Sequence, residues 1–147
     1  MSLLELPPSS IFLDCIALGA ILIYAPFLVV AYGRVTVGYD LGAPRAMFEK
    51  LPDYAKRATW AHQNSFETFI LFAAASFMAY VTEQDSVLAI GASVAFVVGR
   101  FFYSVFYILD LPIGRSLMFA ISSSGTAILF ILSLITVSYT HLRAHET

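Results

Sequence analysis

Hydrophobic and polar positions divide this chain into four long apolar stretches, which are separated by two short polar links and one long polar connection. The stretches cover about residues 11–32, 58–81, 87–109 and 112–136. Each reaches the roughly 20 residues that a helix needs to cross about 30 Å of hydrocarbon. Pro26 predicts a kink within the first. The pattern therefore predicts an all-α fold, an integral membrane bundle of four helices.

Composition indicates an integral membrane protein with one helical domain. Only 12% of the residues are charged and 59% are hydrophobic, whereas a soluble domain carries about 25% charged residues. No basic arm suggests a nucleic-acid partner, and no residue pattern suggests a metal site. Cys15 is the one cysteine and lies in an apolar run. We expect it to be a packed thiol rather than a nucleophile.

The connections predict how the helices are arranged. Residues 82–86 and 110–112 form short links, so the helices on either side of each link should be antiparallel neighbours. The longer connection, residues 33–56, contains several Gly and Pro residues. We expect an ordered loop there, with at most a short helix near residues 45–51.

Positive residues predict the orientation in the membrane. The second connection carries Glu83 and Asp85 but neither Lys nor Arg, and Arg115 lies at the third. The remaining basic residues of the spanning region, apart from Arg100, lie in or beside the first connection: Arg34, Arg45, Lys50, Lys56 and Arg57. Cytoplasmic loops carry an excess of Lys and Arg. The first and third connections should therefore be cytoplasmic, and both ends of the chain should lie on the opposite side.

The second span begins with an unusually polar face. At 100° per residue, its polar positions and one tryptophan fall within a sector about 120° wide: Arg57, Trp60, Gln63, Asn64 and Glu67. Lipid cannot solvate a carboxylate or an amide, so this sector must face protein or a watery cavity. It is either a functional site or a seam of polar residues that hydrogen-bond each other.

The third span repeats this pattern at spacings of three, four and three residues, with Arg100, Tyr103, Tyr107 and Asp110 on one face. An arginine near the centre of a span costs roughly 2.5–3.5 kcal/mol, so Arg100 needs a partner. Glu67 lies at a similar depth, which predicts a Glu67–Arg100 ion pair. Its role could be purely structural. The two tyrosines either offer hydroxyl groups to a ligand or pack in the helix seam.

Two further arginines lie at the ends of spans on the same predicted side of the membrane. Arg115 opens the fourth span and Arg34 ends the first. Either side chain can extend outward to water, as is common at helix ends. Either can instead turn inward and complete an anion-binding site.

Residues 137–147 differ in character from the rest of the chain. They read Val-Ser-Tyr-Thr-His-Leu-Arg-Ala-His-Glu-Thr, which resembles the in-frame translation of a transposon adapter used in sequencing libraries. We expect this tail to be foreign and to replace the natural end, with residues 1–136 forming the membrane domain; the alternative is a genuine polar tail. We therefore assign none of its residues to a functional site.

Three short motifs together resemble the MAPEG family, the membrane-associated proteins in eicosanoid and glutathione metabolism. The resemblance extends over essentially all of residues 11–136 and is greatest to the small bacterial members. The motifs are Arg57-Ala58 with Ala61-His62-x-Asn64-x-x-Glu67, then Gly99-Arg100-x-x-Tyr103-x-x-x-Tyr107, then Leu111-Pro112-x-x-Arg115-Ser116.

The resemblance implies a homotrimer in the bacterial inner membrane, with glutathione bound as co-substrate between subunits near the cytoplasmic face. Arg115 matches the family arginine that activates the thiol, and Tyr107 is expected to assist it. The other positions implied for glutathione binding are Arg34, Arg57, Gln63, Asn64, Glu67, Arg100 and Tyr103. Trp60 is a departure, and Gln63 is a second one relative to some members, because eukaryotic relatives carry arginines there that help to hold the carboxylates.

The implied activity is that of a glutathione-dependent transferase or peroxidase acting on lipophilic electrophiles or hydroperoxides. One alternative is a membrane protein of the same fold that binds a lipid or thiol without turnover. The other is a small multidrug exporter, which would need a carboxylate near the middle of its first span. Asp14 lies too near the end of that span, and the long connection over residues 33–56 does not suit an exporter.

Overall fold

The computed structural model describes residues 7–145, with side chains at all of these positions except 8 and 140–145. It contains four α-helices: α1 (Pro8–Thr36), α2 (Asp53–Val81), α3 (Val87–Ile108) and α4 (Pro112–His145). All four are long and apolar enough to cross a membrane. The predicted all-α membrane bundle is confirmed, and the chain is a multi-pass integral membrane protein.

The two short links are closed by local backbone geometry. Ser86 caps the N-terminus of α3, where its side-chain oxygen accepts a hydrogen bond from the amide of Ala89 at 3.1 Å. Glu83 and Asp110 adopt positive φ angles of 53° and 61°. At the second link the amide of Leu111 donates to the carbonyl of Phe106 at 2.8 Å. This bond reverses the chain directly after α3, as in the common C-terminal turn of helices.

The helices pack closely around a core of aromatic and small residues. α1 and α4 each contact both α2 and α3. Phe72 of α2 and Phe96 of α3 stack with their ring centroids 3.7 Å apart. A methyl group on Gly125 of α4 would lie 2.5 Å from the carbonyl oxygen of Ala92. The backbones of α3 and α4 therefore approach each other closely. Cys15 is buried in this core, as expected of a packed thiol.

α1 runs without interruption through Pro26, which is itself buried. Proline has no amide hydrogen and disturbs the carbonyls of the preceding turn. His62 of α2 bonds one of these, because its Nδ1 lies 2.7 Å from the carbonyl oxygen of Ile23. Since a carbonyl only accepts, Nδ1 carries the proton in this bond. It joins α1 to α2 beside the proline.

The connection between α1 and α2 is ordered and contains a 3-10 helix, Ala46–Lys50. This helix confirms the short helix predicted within the loop. Met47 is buried, and its sulfur accepts a hydrogen bond from the amide of Asp40 at 3.2 Å. A small cluster that includes Val30, Leu51 and Ala55 attaches the connection to α1 and α2. The connection is thereby held over the ends of both helices.

α4 continues beyond the predicted end of its span as far as His145. The side chains of residues 137–139 are exposed. Residues 146–147 lie outside the described part of the chain. The foreign origin of residues 137–147 stays a prediction.

Candidate functional site

The candidate residues lie at one end of the bundle, where α1 and α3 end and α2 and α4 begin. Successive helices run in opposite directions, so residues near these four helix termini come to the same side. Arg34 lies in the last turn of α1 and Arg115 in the first turn of α4. Two separate concave surfaces form there, and no residue lines both.

The larger one, which we call the α1–α2 cleft, has a volume of about 740 Å³. Aromatic and aliphatic side chains from α1, α2 and the 3-10 helix form most of its wall, and its polar groups come from α1, α2 and the connection. The lining residues are Phe27, Val30, Arg34, Pro44, Arg45, Phe48, Leu51, Thr59, His62, Gln63, Phe66 and Glu67.

The cleft combines two arginines, a carboxylate and an amide. The guanidinium carbon of Arg34 lies 5.9 Å from the ring centroid of Phe27. Its Nε is buried and has no hydrogen-bond partner among the described residues. Glu67 is exposed, and its carboxylate accepts a hydrogen bond from Asn64 at 3.5 Å. Gln63 lies on the same wall. A zwitterionic or anionic ligand would find complementary groups here.

The smaller concave surface, the arginine–tyrosine pocket, has a volume of about 300 Å³ and is lined by Tyr103, Tyr107, Arg115, Ser116 and Phe119. The guanidinium carbon of Arg115 lies 4.6 Å from the ring centroid of Tyr107, which is a cation–π contact. The two tyrosine rings meet edge to face at 5.5 Å. The structure thus brings the predicted Arg115, Tyr103 and Tyr107 together.

Arg57 lies outside both concave surfaces. Its Nε donates a hydrogen bond to the carbonyl of Ile108 at 3.0 Å. Its Nη1 lies 3.7 Å from a carboxylate oxygen of Asp110. The structure therefore does not bring Arg57 into one cation cluster with Arg34 and Arg115, although the sequence made all three candidates for one anion site.

The predicted ion pair between Glu67 and Arg100 is wrong within the protomer. Arg100 is only 3% exposed, and its Nη2 donates to the hydroxyl of Ser65 at 3.1 Å. Its guanidinium carbon lies 4.0 Å from the ring centroid of Tyr103. Ser65 and Glu67 are two residues apart and so point about 200° apart around α2. Glu67 and Arg100 were predicted to lie at a similar depth in the membrane, but the Glu67 side chain does not point toward Arg100.

Several residues contribute to these surfaces although the sequence alone did not predict them as site residues. Trp60 lies between them: its ring centroid is 5.9 Å from that of Phe48 and 6.5 Å from that of Tyr107. Phe48 and Arg45 come from a loop whose course the hydrophobic pattern cannot predict. A bonded role for His62 could have been predicted, because a histidine within a span is costly unless its nitrogens are hydrogen-bonded.

Neither surface resembles a metal centre. Among the residues that the structure describes, no three His, Cys, Asp or Glu side chains come together in a way that could hold a metal ion.

Comparison with known protein families gives one match. Residues 11–135 match the MAPEG family, and the chain belongs to that family. Membership associates it with the membrane proteins of glutathione and eicosanoid metabolism. No curated protein and no solved structure matches the chain.

Proposed function

We propose that the protein is a glutathione-dependent transferase or peroxidase that acts on lipophilic electrophiles or hydroperoxides. The observation that supports this most strongly is the arginine–tyrosine pocket, where the guanidinium of Arg115 lies 4.6 Å from the Tyr107 ring. A fixed cation beside a phenol is suited to stabilise a thiolate. Family membership makes glutathione the first thiol to consider.

The α1–α2 cleft offers groups for the rest of the peptide. Glutathione carries two carboxylates and one ammonium group. Arg34 can pair with a carboxylate and Glu67 with the ammonium group, while the amide of Gln63 can bond the peptide backbone. The cleft lacks a thiol-activating arginine of the kind that the pocket provides, and the pocket lacks a group of charges that would hold the peptide.

The two surfaces complement each other, which supports assembly as a homotrimer with each ligand bound between neighbouring subunits. In this arrangement the cleft of one protomer faces the arginine–tyrosine pocket of the next. Within one protomer, Trp60 stands between Phe48 of the cleft and Tyr107 of the pocket. By the positive-inside rule this end of the bundle faces the cytoplasm, and we place the protein in a bacterial inner membrane.

The chemistry begins with loss of the thiol proton. A free thiol has a pKa of about 8.5, so only a few per cent is ionised at pH 7. A nearby guanidinium that lowers the thiol pKa by one to two units would stabilise the thiolate by roughly 1.4–2.7 kcal/mol. The thiolate then attacks carbon in an electrophile, forming a carbon–sulfur bond while a leaving group or an opened ring takes the electron pair.

A hydroperoxide would react by a related route. The thiolate attacks the outer oxygen, the oxygen–oxygen bond breaks, and the alkoxide takes a proton to become an alcohol. The sulfenic acid formed on glutathione then reacts with a second glutathione to give a disulfide and water. Two thiols are oxidised for each hydroperoxide reduced. Substrate would enter from the bilayer, since the protein surface around both sites is largely apolar.

Calorimetric titration of the purified protein with glutathione, followed by assays with a model electrophile and a lipid hydroperoxide, tests the proposal. S-methylglutathione is the control ligand, because it keeps the peptide groups but cannot form a thiolate. We expect glutathione to bind and turn over, and S-methylglutathione to bind without reaction. Binding of glutathione without turnover in either assay would favour a non-enzymatic thiol-binding protein, and absence of binding would contradict the proposal.

A further inference from the structure

Arg57 joins the beginning of α2 to the end of α3. Its Nε donates to the carbonyl of Ile108, the last residue of α3, at 3.0 Å. Its Nη1 lies 3.7 Å from the carboxylate of Asp110 in the following link. Three-quarters of the Arg57 side chain is buried, whereas Asp110 is 70% exposed. We call these two contacts the Arg57 clamp.

The backbone at the end of α3 requires hydrogen-bond donors and favours a nearby positive charge. The last carbonyls of a helix have no partner within the helix, and the negative end of the helix dipole favours a cation. The chain also reverses here within a short link, where Asp110 adopts a φ of 61°. That conformation is uncommon for a residue with a side chain. A buried guanidinium that bonds Ile108 therefore stabilises a tight and strained corner.

Two residues of the arginine–tyrosine pocket, Tyr107 and Arg115, lie on either side of this corner. Tyr107 directly precedes Ile108, and its carbonyl accepts a bond from the amide of Asp110 at 3.2 Å. The amide of Arg115 donates to the carbonyl of Leu111 at 3.0 Å. The Arg115–Tyr107 contact thus joins the two sides of one reversal of the chain. A movement of the corner would change the separation of these two side chains.

We propose that Arg57 is a positioning residue, which fixes the corner between α3 and α4 and so holds Arg115 over Tyr107 without touching the thiol ligand itself. This inference rests on the proposed function for its catalytic consequence. Its structural part, the restraint of the corner, stands on the two contacts alone.

The bond to the carbonyl of Ile108 should carry most of the effect. It has an ordinary hydrogen-bond length of 3.0 Å and is formed by a largely buried side chain, and a hydrogen bond to a charged group contributes more than a neutral one. The partner in the ion pair is mostly exposed, and such pairs contribute little. Replacement of Asp110 by Asn should therefore be nearly silent, whereas replacement of Arg57 should not.

The test compares Arg57→Ala, Arg57→Lys and Asp110→Asn with Lys50→Ala, which removes a positive charge from the exposed side of the 3-10 helix at the same end of the bundle. Two measurements do not depend on activity. Hydrogen exchange reports the backbone amides of residues 108–115. The fluorescence of Trp60, the only tryptophan of the chain, reports the surroundings of Tyr107. Steady-state kinetics with glutathione and a model electrophile give kcat and KM.

For Arg57→Ala we expect faster exchange over residues 108–115, a shifted Trp60 emission, and a kcat lowered about tenfold, which is about 1.4 kcal/mol in the barrier. The KM for glutathione should change less than about twofold. Arg57→Lys should recover part of kcat, while Asp110→Asn and Lys50→Ala should match the wild type.

The contrary outcomes are distinct. A raised KM with unchanged kcat in Arg57→Ala would show that Arg57 binds the ligand directly. Exchange and emission identical to those of Lys50→Ala would show that the clamp does not restrain the corner. A wild-type protein without turnover would overturn the proposed function, while exchange and fluorescence would still decide whether the clamp exists.

Discussion

Four arginines near the candidate site lie in four different environments: Arg34, Arg57, Arg100 and Arg115. Arg100 is buried against Ser65 and the ring of Tyr103. Arg57 is bonded to the end of α3, whereas Arg34 and Arg115 each reach a concave surface. Of these four, only Arg34 and Arg115 line a concave surface, with Arg45 beside Arg34 in the cleft, so fewer positive charges are offered to a ligand than the number of arginines suggests.

Arg115→Ala should lower turnover roughly tenfold to a hundredfold, because the bound thiol would lose the cation that lowers its pKa by one to two units. Stabilisation of the thiolate is lost as its pKa rises, so the rate of the variant should recover at higher pH. Glutathione binding should survive in part. The measurement is the absorbance of the bound thiolate as a function of pH, alongside turnover.

Arg115→Lys is the matched variant for this prediction. It keeps a point charge but loses the planar fork, so it should recover some of the lost rate. An Arg115→Ala enzyme with the wild-type rate and an unshifted thiol titration would remove Arg115 from the mechanism. Tyr107 would then be the next candidate, although a neutral donor should contribute less than a full charge.

The buried Arg100 gives a second prediction at this scale. Its Nε and Nη1 have no hydrogen-bond partner within residues 7–145. Ser65→Ala would remove the hydroxyl that accepts a hydrogen bond from Arg100 Nη2 at 3.1 Å and should destabilise the protein by about 1–3 kcal/mol. Glu67→Gln should have little effect on stability, because the Glu67 carboxylate is exposed. Thermal unfolding in detergent measures the stability of both variants. A larger loss of stability for Glu67→Gln than for Ser65→Ala would support the predicted Glu67–Arg100 ion pair, which the structure lacks.

At the scale of the helices, the pattern of apolar residues was sufficient to predict the number and order of the membrane-spanning elements. Membrane-spanning helices satisfy their own backbone, so length and hydropathy decide their existence. The position of the Phe48 ring over the α1–α2 cleft could not be predicted from the sequence, because it depends on tertiary contacts of the connection. The direction of Arg100 toward Ser65 was missed for a related reason: helical spacing gives relative faces, but it does not say which neighbour each face meets.

The close approach of α3 and α4 can be tested at a single glycine. A methyl group at Gly125 would lie 2.5 Å from the Ala92 carbonyl oxygen, so Gly125→Ala must push the two backbones apart. Overpacking of this kind costs about 1–3 kcal/mol. The matched control is Gly91→Ala on α3, where a methyl group would meet no atom within 4 Å.

Gly91→Ala should be neutral or stabilising by up to about 1 kcal/mol, since alanine favours helix more than glycine does. Thermal unfolding in detergent compares the two variants. Equal effects of both substitutions would contradict a tight contact specific to Gly125.

At the scale of the whole molecule, α4 extends past Thr136 as a helix through His145. Since we expect residues 137–147 to be foreign, truncation after Thr136 should leave expression, assembly and thiol binding unchanged. Thr136 must be retained, because its hydroxyl accepts a hydrogen bond from Gln84 at 2.7 Å and so joins α4 to the link between α2 and α3. Failure of the truncated chain to insert or assemble would show that the tail belongs to the protein.

The proposed sharing of each site between subunits makes a quantitative prediction for mixed assemblies. Arg34→Ala removes the cleft arginine that we propose to pair with a glutathione carboxylate, while Arg45 remains, and Arg115→Ala removes the cation of the pocket, so each variant alone should have low activity. A complete site in a mixed trimer needs Arg34 from one chain and Arg115 from its neighbour. Every trimer that contains both variants then has one complete site in three, so mixed trimers isolated by both tags should restore about a third of the sites.

Co-expression of the two variants under separate affinity tags, followed by two-step purification and an activity assay, tests this directly. The control is wild type co-assembled with Arg34→Ala, which should keep about half of the sites whether or not they are shared. If one protomer supplies both arginines, the mixture of Arg34→Ala and Arg115→Ala should show only the residual activity of its parents, while the control stays near half. That result would place the complete site around Trp60 within a single chain, where the cleft and the pocket already lie on either side of one ring.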